Sequence, residues 1–396
     1  MNKYTLKDLL IICNGKDYKK NKEGNIPIYG SGGIIGYSAE YLYDDESILL
    51  PRKGTLDNIQ YVNGKFWTID TTYWTKINKD IVNPKYLYLY LNLLNLGKRN
   101  TGSTLPSMTF DTYYSLEIEL PNLDEQNKIA NYIFDIVNKI NLNNEIIKKL
   151  DSICKNLYNY WFNSFNYPYG KLKCYKDDGG EFYFNKVLNK TIPIEFSNVK
   201  FKELIQKIST GLNPRNHFKL NNGDIKYITV KNILDTGEID FNNCDTIDEE
   251  ALKKVHRRSD ISINDILYSS IAPLGRCHII KNKPFKWDIN ESVFSIRCKN
   301  DLLCNYVYYL LKSEEFIYLA THSSTGSIFS GIRITTLNDI EVILPPEDVL
   351  IEFNKAIEDK LQLIDQLFNE NVKLRAYKDI ISSHLVFGKA IIKEVD

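Results

Sequence analysis

The residues of this chain that could do chemistry lie in glycine-rich and basic segments. Gly30-Ser31-Gly32-Gly33-Ile34-Ile35-Gly36 invites comparison with a dinucleotide-binding loop. A G-x-G-x-x-G match would need glycine at Ile35, and the residues that follow pattern as a strand instead of a helix start. The segment reads either as a plain turn or as a loop at which Gly32 and Gly33 let backbone N–H groups approach phosphates. Arg52-Lys53, beside Gly54 at the end of an apolar run, suits base and phosphate contact, since arginine can hold guanine O6 and N7 together. Solvated strand-end charges are the competing reading. Lys98, Arg99, Thr101 and Ser103 place cations beside hydroxyls, again suited to phosphates. Further along, the candidates are Asn213, Arg215, His217, Lys231, Asn232, Arg257, Arg258 and Arg276. His256-Arg257-Arg258 forms either a phosphate clamp or, with Asp248, Glu249 and Glu250 upstream, a salt-bridged surface.

Catalytic signatures are missing from the sequence. It holds no G-x-x-x-x-G-K-[S/T], no H-E-x-x-H and no G-x-S-x-G. Asn83-Pro84-Lys85-Tyr86 departs from the adenine-methyltransferase pattern N-P-P-[Y/F] at Lys85, and a helix opened by proline explains it better. The seven cysteines (Cys13, Cys154, Cys174, Cys244, Cys277, Cys298, Cys304) include no C-x-x-C and no zinc spacing. No metal or cofactor is expected, and the thiols suit a reducing compartment.

The elements that must position these residues come in duplicate. N-T-G-S-T-L-P-S at 100–107, closing in E-L-P at 119–121, returns as S-T-G-S-I-F-S at 324–330, closing in I-L-P-P at 343–346. The offset is about 224 residues. Thr325 and Ser327 thus repeat Thr101 and Ser103, and the recurrence favours a shared scaffold or backbone contact over base readout. Short β-like runs at 26–29, 47–51, 59–63 and 66–70 precede a helical pattern at 83–96, and Val62-Asn63-Gly64-Lys65 signals a hairpin. The second copy keeps the order: 201–205 matches 6–10, Thr210-Gly211 matches Asn14-Gly15, and Trp287 falls near Trp67.

Each copy feeds a long helical pattern. Ile129, Ile133, Ile136, Ile140, Asn143, Ile147, Leu150, Cys154, Leu157 and Trp161 alternate steps of four and three, the seam of a coiled coil. Phe353, Ile357, Leu361, Ile364, Leu367, Asn371, Leu374, Ile381 and Leu385 form the second seam. One asparagine in each, Asn143 and Asn371, suits a register-fixing role. The alternative is a pair of amphipathic helices packed only on their own modules. Residues 163–199 read as a long ordered connector, which favours antiparallel helices with a module at either end.

At 396 residues the chain is long enough for two cores. Its 50 basic and 50 acidic residues balance, so any nucleic-acid surface must be a local patch. No secretory or membrane-spanning run appears, and the expectation is a soluble, cytoplasmic protein.

I-P-I-Y-G-S-G-G-I-I-G-Y at 26–37, L-L-P-R-K-G-T at 49–55, Y-K-D-D-G-G-E-F at 175–182 and the paired T-G-S blocks together resemble the specificity subunit of Type I restriction-modification systems, over essentially the whole chain. The resemblance implies an α+β fold with pseudo-two-fold character: two tandem mixed α/β target-recognition domains separated by two long antiparallel coiled-coil helices. The corresponding boundaries are 1–122 for the first domain, 123–163 for the first helix, 164–198 for the connector, 199–345 for the second domain, and 346–396 for the second helix and tail. It further implies a bipartite, asymmetric double-stranded DNA target. Two methyltransferase subunits would dock on the chain, restriction subunits would join through them, and the chain itself would be no enzyme. The two modules differ in their loops, so their half-sites should differ. A rival reading is a coiled-coil scaffold whose β-rich modules bind protein or carbohydrate.

Overall fold

In the computed structural model, which describes residues 1–54, 56–94, 96, 108–322, 331–390 and 392, apolar runs cut by Gly and Asn fold into short strands. The chain divides into two units, Met1–Leu142 with Glu370–Asp396, and Asn143–Asn369. The first unit begins with β1 (Asn2–Thr5), α1 (Leu6–Leu9), β2 (Leu10–Cys13), β3 (Ile26–Gly30), β4 (Gly33–Ser38) and β5 (Tyr43–Asp44). It continues with β6 (Ser47–Pro51), β7 (Gln60–Val62), β8 (Lys65–Thr68), β9 (Thr72–Ile77), α2 (Pro84–Leu93), α3 (Phe110–Tyr114) and β10 (Glu117–Leu120). Strands assemble in the orders β2-β9-β6-β7 and β4-β3-β8-β5, and β1 pairs with β10. Helix α2 starts where the sequence places it, with Pro84 in its first turn and the Asn83 side chain accepting from Tyr86 N–H.

One expectation fails. Gly64 does turn the chain, with φ +96°, but β7 and β8 form no hairpin: β7 pairs with β6, and β8 with β3 and β5. Val62 and Phe66 are each buried on a different sheet, and burial of these side chains overrides the local turn signal.

Helix α4 (Leu123–Tyr158) begins in the first unit and ends in the second, where a wider π turn extends it over Asn159–Asn163. The second unit then adds β11 (Phe182–Asn185) and β12 (Lys190–Pro193), a hairpin within the connector, followed by β13 (Ser197–Lys200), β14 (Ile205–Thr210), β15 (Ile225–Ile228) and β16 (Asp245–Ile247). After α5 (Glu249–Ser259) come β17 (Ile266–Ser269), β18 (Cys277–Ile279), β19 (Trp287–Ile289), β20 (Val293–Cys298), α6 (Asp301–Leu311), α7 (Glu314–His322), α8 (Ile334–Asp339) and β21 (Glu341–Leu344). The sheet orders β14-β20-β17-β18 and β16-β15-β19, with β13 on β21, reproduce those of the first unit except that β5 has no counterpart. Even the parallel pairing recurs, as β3 with β8 and β15 with β19. Duplication read from the sequence is therefore duplication of topology. Asp248 caps α5 by accepting from Ala251 N–H at 2.8 Å, and Glu249 and Glu250 occupy its first turn, where acids suit the helix dipole.

Helix α9 (Glu347–Val386) runs from the second unit back to the first. Within the first unit, Tyr132 and Tyr377 join hydroxyls at 2.6 Å, and Lys139 meets Glu370 at 3.5 Å. Seven residues forward in α4 match seven backward in α9, so the helices pair antiparallel with a heptad step. Ile129, Ile133, Ile147, Phe353 and Ile357 are buried, and so are Asn143 and Asn371, both at 0 % exposure.

The second unit carries a largely buried ion pair. Lys312 Nζ lies 2.7 Å from Asp151 and 4.7 Å from the centroid of the Tyr308 ring. Asp151→Asn should leave the ammonium without its counterion and cost about 3–5 kcal/mol. Chemical denaturation checks this, and an unchanged midpoint would rule it out.

Candidate nucleic-acid interface

In the first unit the turn at 68–72, joining β8 to β9, collects the candidate segments. Lys16 N–H donates to the Thr68 carbonyl at 2.8 Å, Ile69 N–H to Tyr29 at 3.1 Å, and Arg52 and Lys53 N–H to Thr71 at 2.8 and 3.3 Å. Gly32 and Gly33 form the tip of the β3–β4 hairpin, where Gly30 pairs with Gly33 and Gly33 takes φ +122°. The tip is tied to its neighbours: Asn58 Nδ2 donates to the Ser31 carbonyl at 2.7 Å, and Gln60 Nε2 to that of Gly30 at 3.1 Å. Gly54 leaves room for the Ser31 hydroxyl, which would lie 3.0 Å from an added Cβ. Gly32, Gly33, Arg52 and Lys53 therefore share one end of the unit. Lys53 is exposed and Arg52 half-buried, its guanidinium 5.9 Å from the Tyr73 centroid. Neither forms an ion pair among the described residues. Ile34, Ile35 and Tyr37 stand exposed on β4 beside the tip, apolar groups of the kind that meet thymine methyls.

The second unit repeats this arrangement around residues 290–292. Gly211 N–H donates to Asn290 at 3.1 Å, Asn290 N–H to Ile228 at 2.8 Å, and Ser270 N–H to Ser292 at 2.9 Å. Met108 N–H to Arg52 at 3.0 Å has its counterpart in Ile332 N–H to Ser270 at 2.8 Å. Arg52 thus corresponds to Ser270. Where the first unit turns tightly at Ser31-Gly32, the second runs through 229–244 and brings in Lys231.

Side chains here are largely engaged. The Asn213 amide donates to Glu291 and its oxygen accepts from Arg215 N–H at 3.1 Å. Arg276 holds Asp235 at 2.8 and 2.9 Å and reaches the Val230 carbonyl at 3.5 Å. Lys231 lies 3.6 Å from Asp245, and Arg258 Nε donates to Thr210 Oγ1 at 3.2 Å. Arg215 and His217 stand exposed in the loop after Gly211.

Two candidates do not join them. Arg257 lines a separate groove with Lys207, Lys253, Phe285, Lys286 and Trp287. Asn232 is 2 % exposed and its amide is spent on structure: Oδ1 accepts from Thr229 N–H at 2.9 Å, and Nδ2 donates to the Asn243 carbonyl at 3.0 Å. It holds the 229–232 turn and offers nothing to a ligand. The acids upstream of His256 make no ion pair with Arg257 or Arg258; Glu250 pairs with Lys254 at 2.7 Å. His256 instead faces Asp288 at 3.0 Å, a carboxyl that burial pushes above its usual range while the Ser259 and His256 contacts oppose the shift. Lys98, Arg99, Thr101, Ser103, Thr325 and Ser327 lie outside the described residues. The sequence reading overlooked Ser31, Asn58 and Lys16, although the match of Asn14-Gly15 to Thr210-Gly211 pointed to the last.

Comparisons with known proteins agree with this duplicated architecture. The family model described as Type I restriction modification DNA specificity domain matches residues 1–152 and 193–376. The chain is 25% identical over 335 residues to the Type I restriction enzyme MjaIX specificity subunit of Methanocaldococcus jannaschii, covering 81% of this chain and 72% of that one. It is 22% identical over 430 residues to the HindI specificity subunit of Haemophilus influenzae, covering 95% and 88%. Among solved structures, the S subunit of a Type I restriction-modification system from M. genitalium has the same fold, with a TM-score of 0.56 at 14% identity, covering 100% of this chain and 96% of that one.

Proposed function

This chain belongs to the Type I restriction-modification DNA specificity family, and from that premise we propose that it reads a bipartite, asymmetric DNA site, one half with each unit. Two methyltransferase subunits dock on it to methylate adenines flipped from the duplex, restriction subunits join through them, and the whole works in the cytoplasm. Sequence is read here and modified by the partners, so the chain needs no cofactor and no catalytic group of its own.

The observation that carries this reading is the pair of equivalent turns, 68–72 and 290–292, each gathering loops of unlike chemistry at one end of its unit. The same scaffold with different loops is what two unlike half-sites require. Arg52 and Lys53 serve the first half-site; Asn213, Arg215 and His217 serve the second.

Single-molecule methylation mapping of DNA from cells expressing the chain with and without its methyltransferase tests the proposal. Methyladenine should appear in a split motif only when both are present. Failure to methylate despite a shown assembly would overturn it.

A further inference from the structure

We propose that the loop at 14–24 in the first unit is a sequence-independent phosphate clamp. The inference rests on the DNA-reading function above. The loop is anchored at both ends. Gly15 packs on the Ile69 carbonyl so closely that an added Cβ would lie 2.0 Å from its oxygen, and at Gly24 one would lie 2.4 Å from Ala39 N. Between them, Trp67 Nε1 donates to the Lys16 carbonyl at 2.9 Å, Ala39 N–H to that of Lys22 at 2.9 Å, and Asn21 Nδ2 to Ser38 Oγ at 3.1 Å.

This fixed backbone presents Lys16, Lys19, Lys20 and Lys22, all exposed and none in an ion pair among the described residues. A run of lysines is ordinarily only a solvated face. Here it occupies the position of the loop after Gly211, which carries Asn213, Arg215 and His217. Gly211 meets Ile289 as Gly15 meets Ile69, with an added Cβ 1.7 Å from the carbonyl oxygen. The four lysines outnumber Asp17 and Glu23 in the same loop, and each phosphate they meet releases a counterion.

The test titrates salt against binding of a labelled random-sequence duplex by the full chain co-purified with its methyltransferase subunits. In K19Q/K20Q/K22Q the slope of log affinity against log salt should become shallower by about 2–3. The thermal midpoint and the methylated motif should stay unchanged. K171Q/K173Q/K176Q, which removes equal charge from the exposed connector, should leave the slope as it was. An equal fall in both triples would reduce the effect to net charge and overturn the clamp. An unchanged slope in the loop triple, with native binding still salt-dependent, would overturn the clamp and leave the DNA reading standing. Salt-indifferent binding by the native chain would overturn both.

Discussion

Gly211→Ala is expected to cut methylation of the whole split site by up to about a hundredfold, although it alters a single module. The new methyl would sit 1.7 Å from the Ile289 carbonyl oxygen and 2.5 Å from its carbon. That carbonyl cannot yield cheaply, because Ile289 lies in β19, paired parallel with β15, and Ile289 N–H is held by buried Asp288 at 2.8 Å. The loop carrying Asn213, Arg215 and His217 must move instead. Overpacking of this kind costs about 1–3 kcal/mol, and a loss of 2.7 kcal/mol in site recognition is about a hundredfold. Gly15→Ala should do the same from the other module, through Ile69. Gly32→Ala is the control, since nothing lies within 4 Å of its added Cβ, and it should keep the fold. Methylation mapping reads all three, and a native methylation level in both Gly15→Ala and Gly211→Ala would sink the placement of these loops at the interface.

Inserting one heptad into each long helix, after Leu142 in α4 and after Asn369 in α9, should change the spacer without changing either half-site. Seven residues preserve the seam and add about 10 Å of helix, equivalent to about three base pairs at 3.4 Å each. The original motif should lose methylation, and the same half-motifs with a spacer about three base pairs longer should gain it. Lengthening one helix alone would set Tyr132 against the wrong turn of α9 and should reduce stability instead. Continued methylation at the original spacing by the doubly lengthened chain would show that helix length does not set the spacer.

Long-period features of this fold were legible in the sequence because they depend on many residues at once. The seam from Ile129 to Trp161 needs ten positions to agree, and the structure buries most of its apolar face along with Asn143, leaving Leu150 and Leu157 half-buried. Duplication was legible because order survives divergence. Partner choice between strands was not: Asn63-Gly64 specifies a turn, but nothing local tells β7 to join β6 and β8 to join β3. Site candidates were legible only by residue type. Arg52 and Lys53 lie beside Gly54, which packs against Ser31 next to Gly32, whereas Asn232 has the right chemistry in a buried place, and a single sequence does not distinguish burial from exposure for one asparagine in a turn. The lysines at 16–22 were not legible as a site, because their types alone do not show that the loop after Gly15 takes the place of the loop after Gly211.

The split of both long helices between the units also imposes an order on biosynthesis. The second unit is one continuous stretch, Asn143–Asn369, whereas the first is incomplete without residues from Glu370 onward. The Tyr86 hydroxyl donates a hydrogen bond to the Val386 carbonyl at 2.8 Å across 300 positions of sequence, and Leu385 and Val386 lie in the same core as Leu6 and Ile133. Contacts so distant in sequence form late and close slowly. On the ribosome, then, the unit synthesised first is completed last, and its apolar core waits for the second helix to emerge. A chain cut short before Glu370 and released would display a finished second unit and an open first one, a state in which exposed apolar surface calls for chaperone cover.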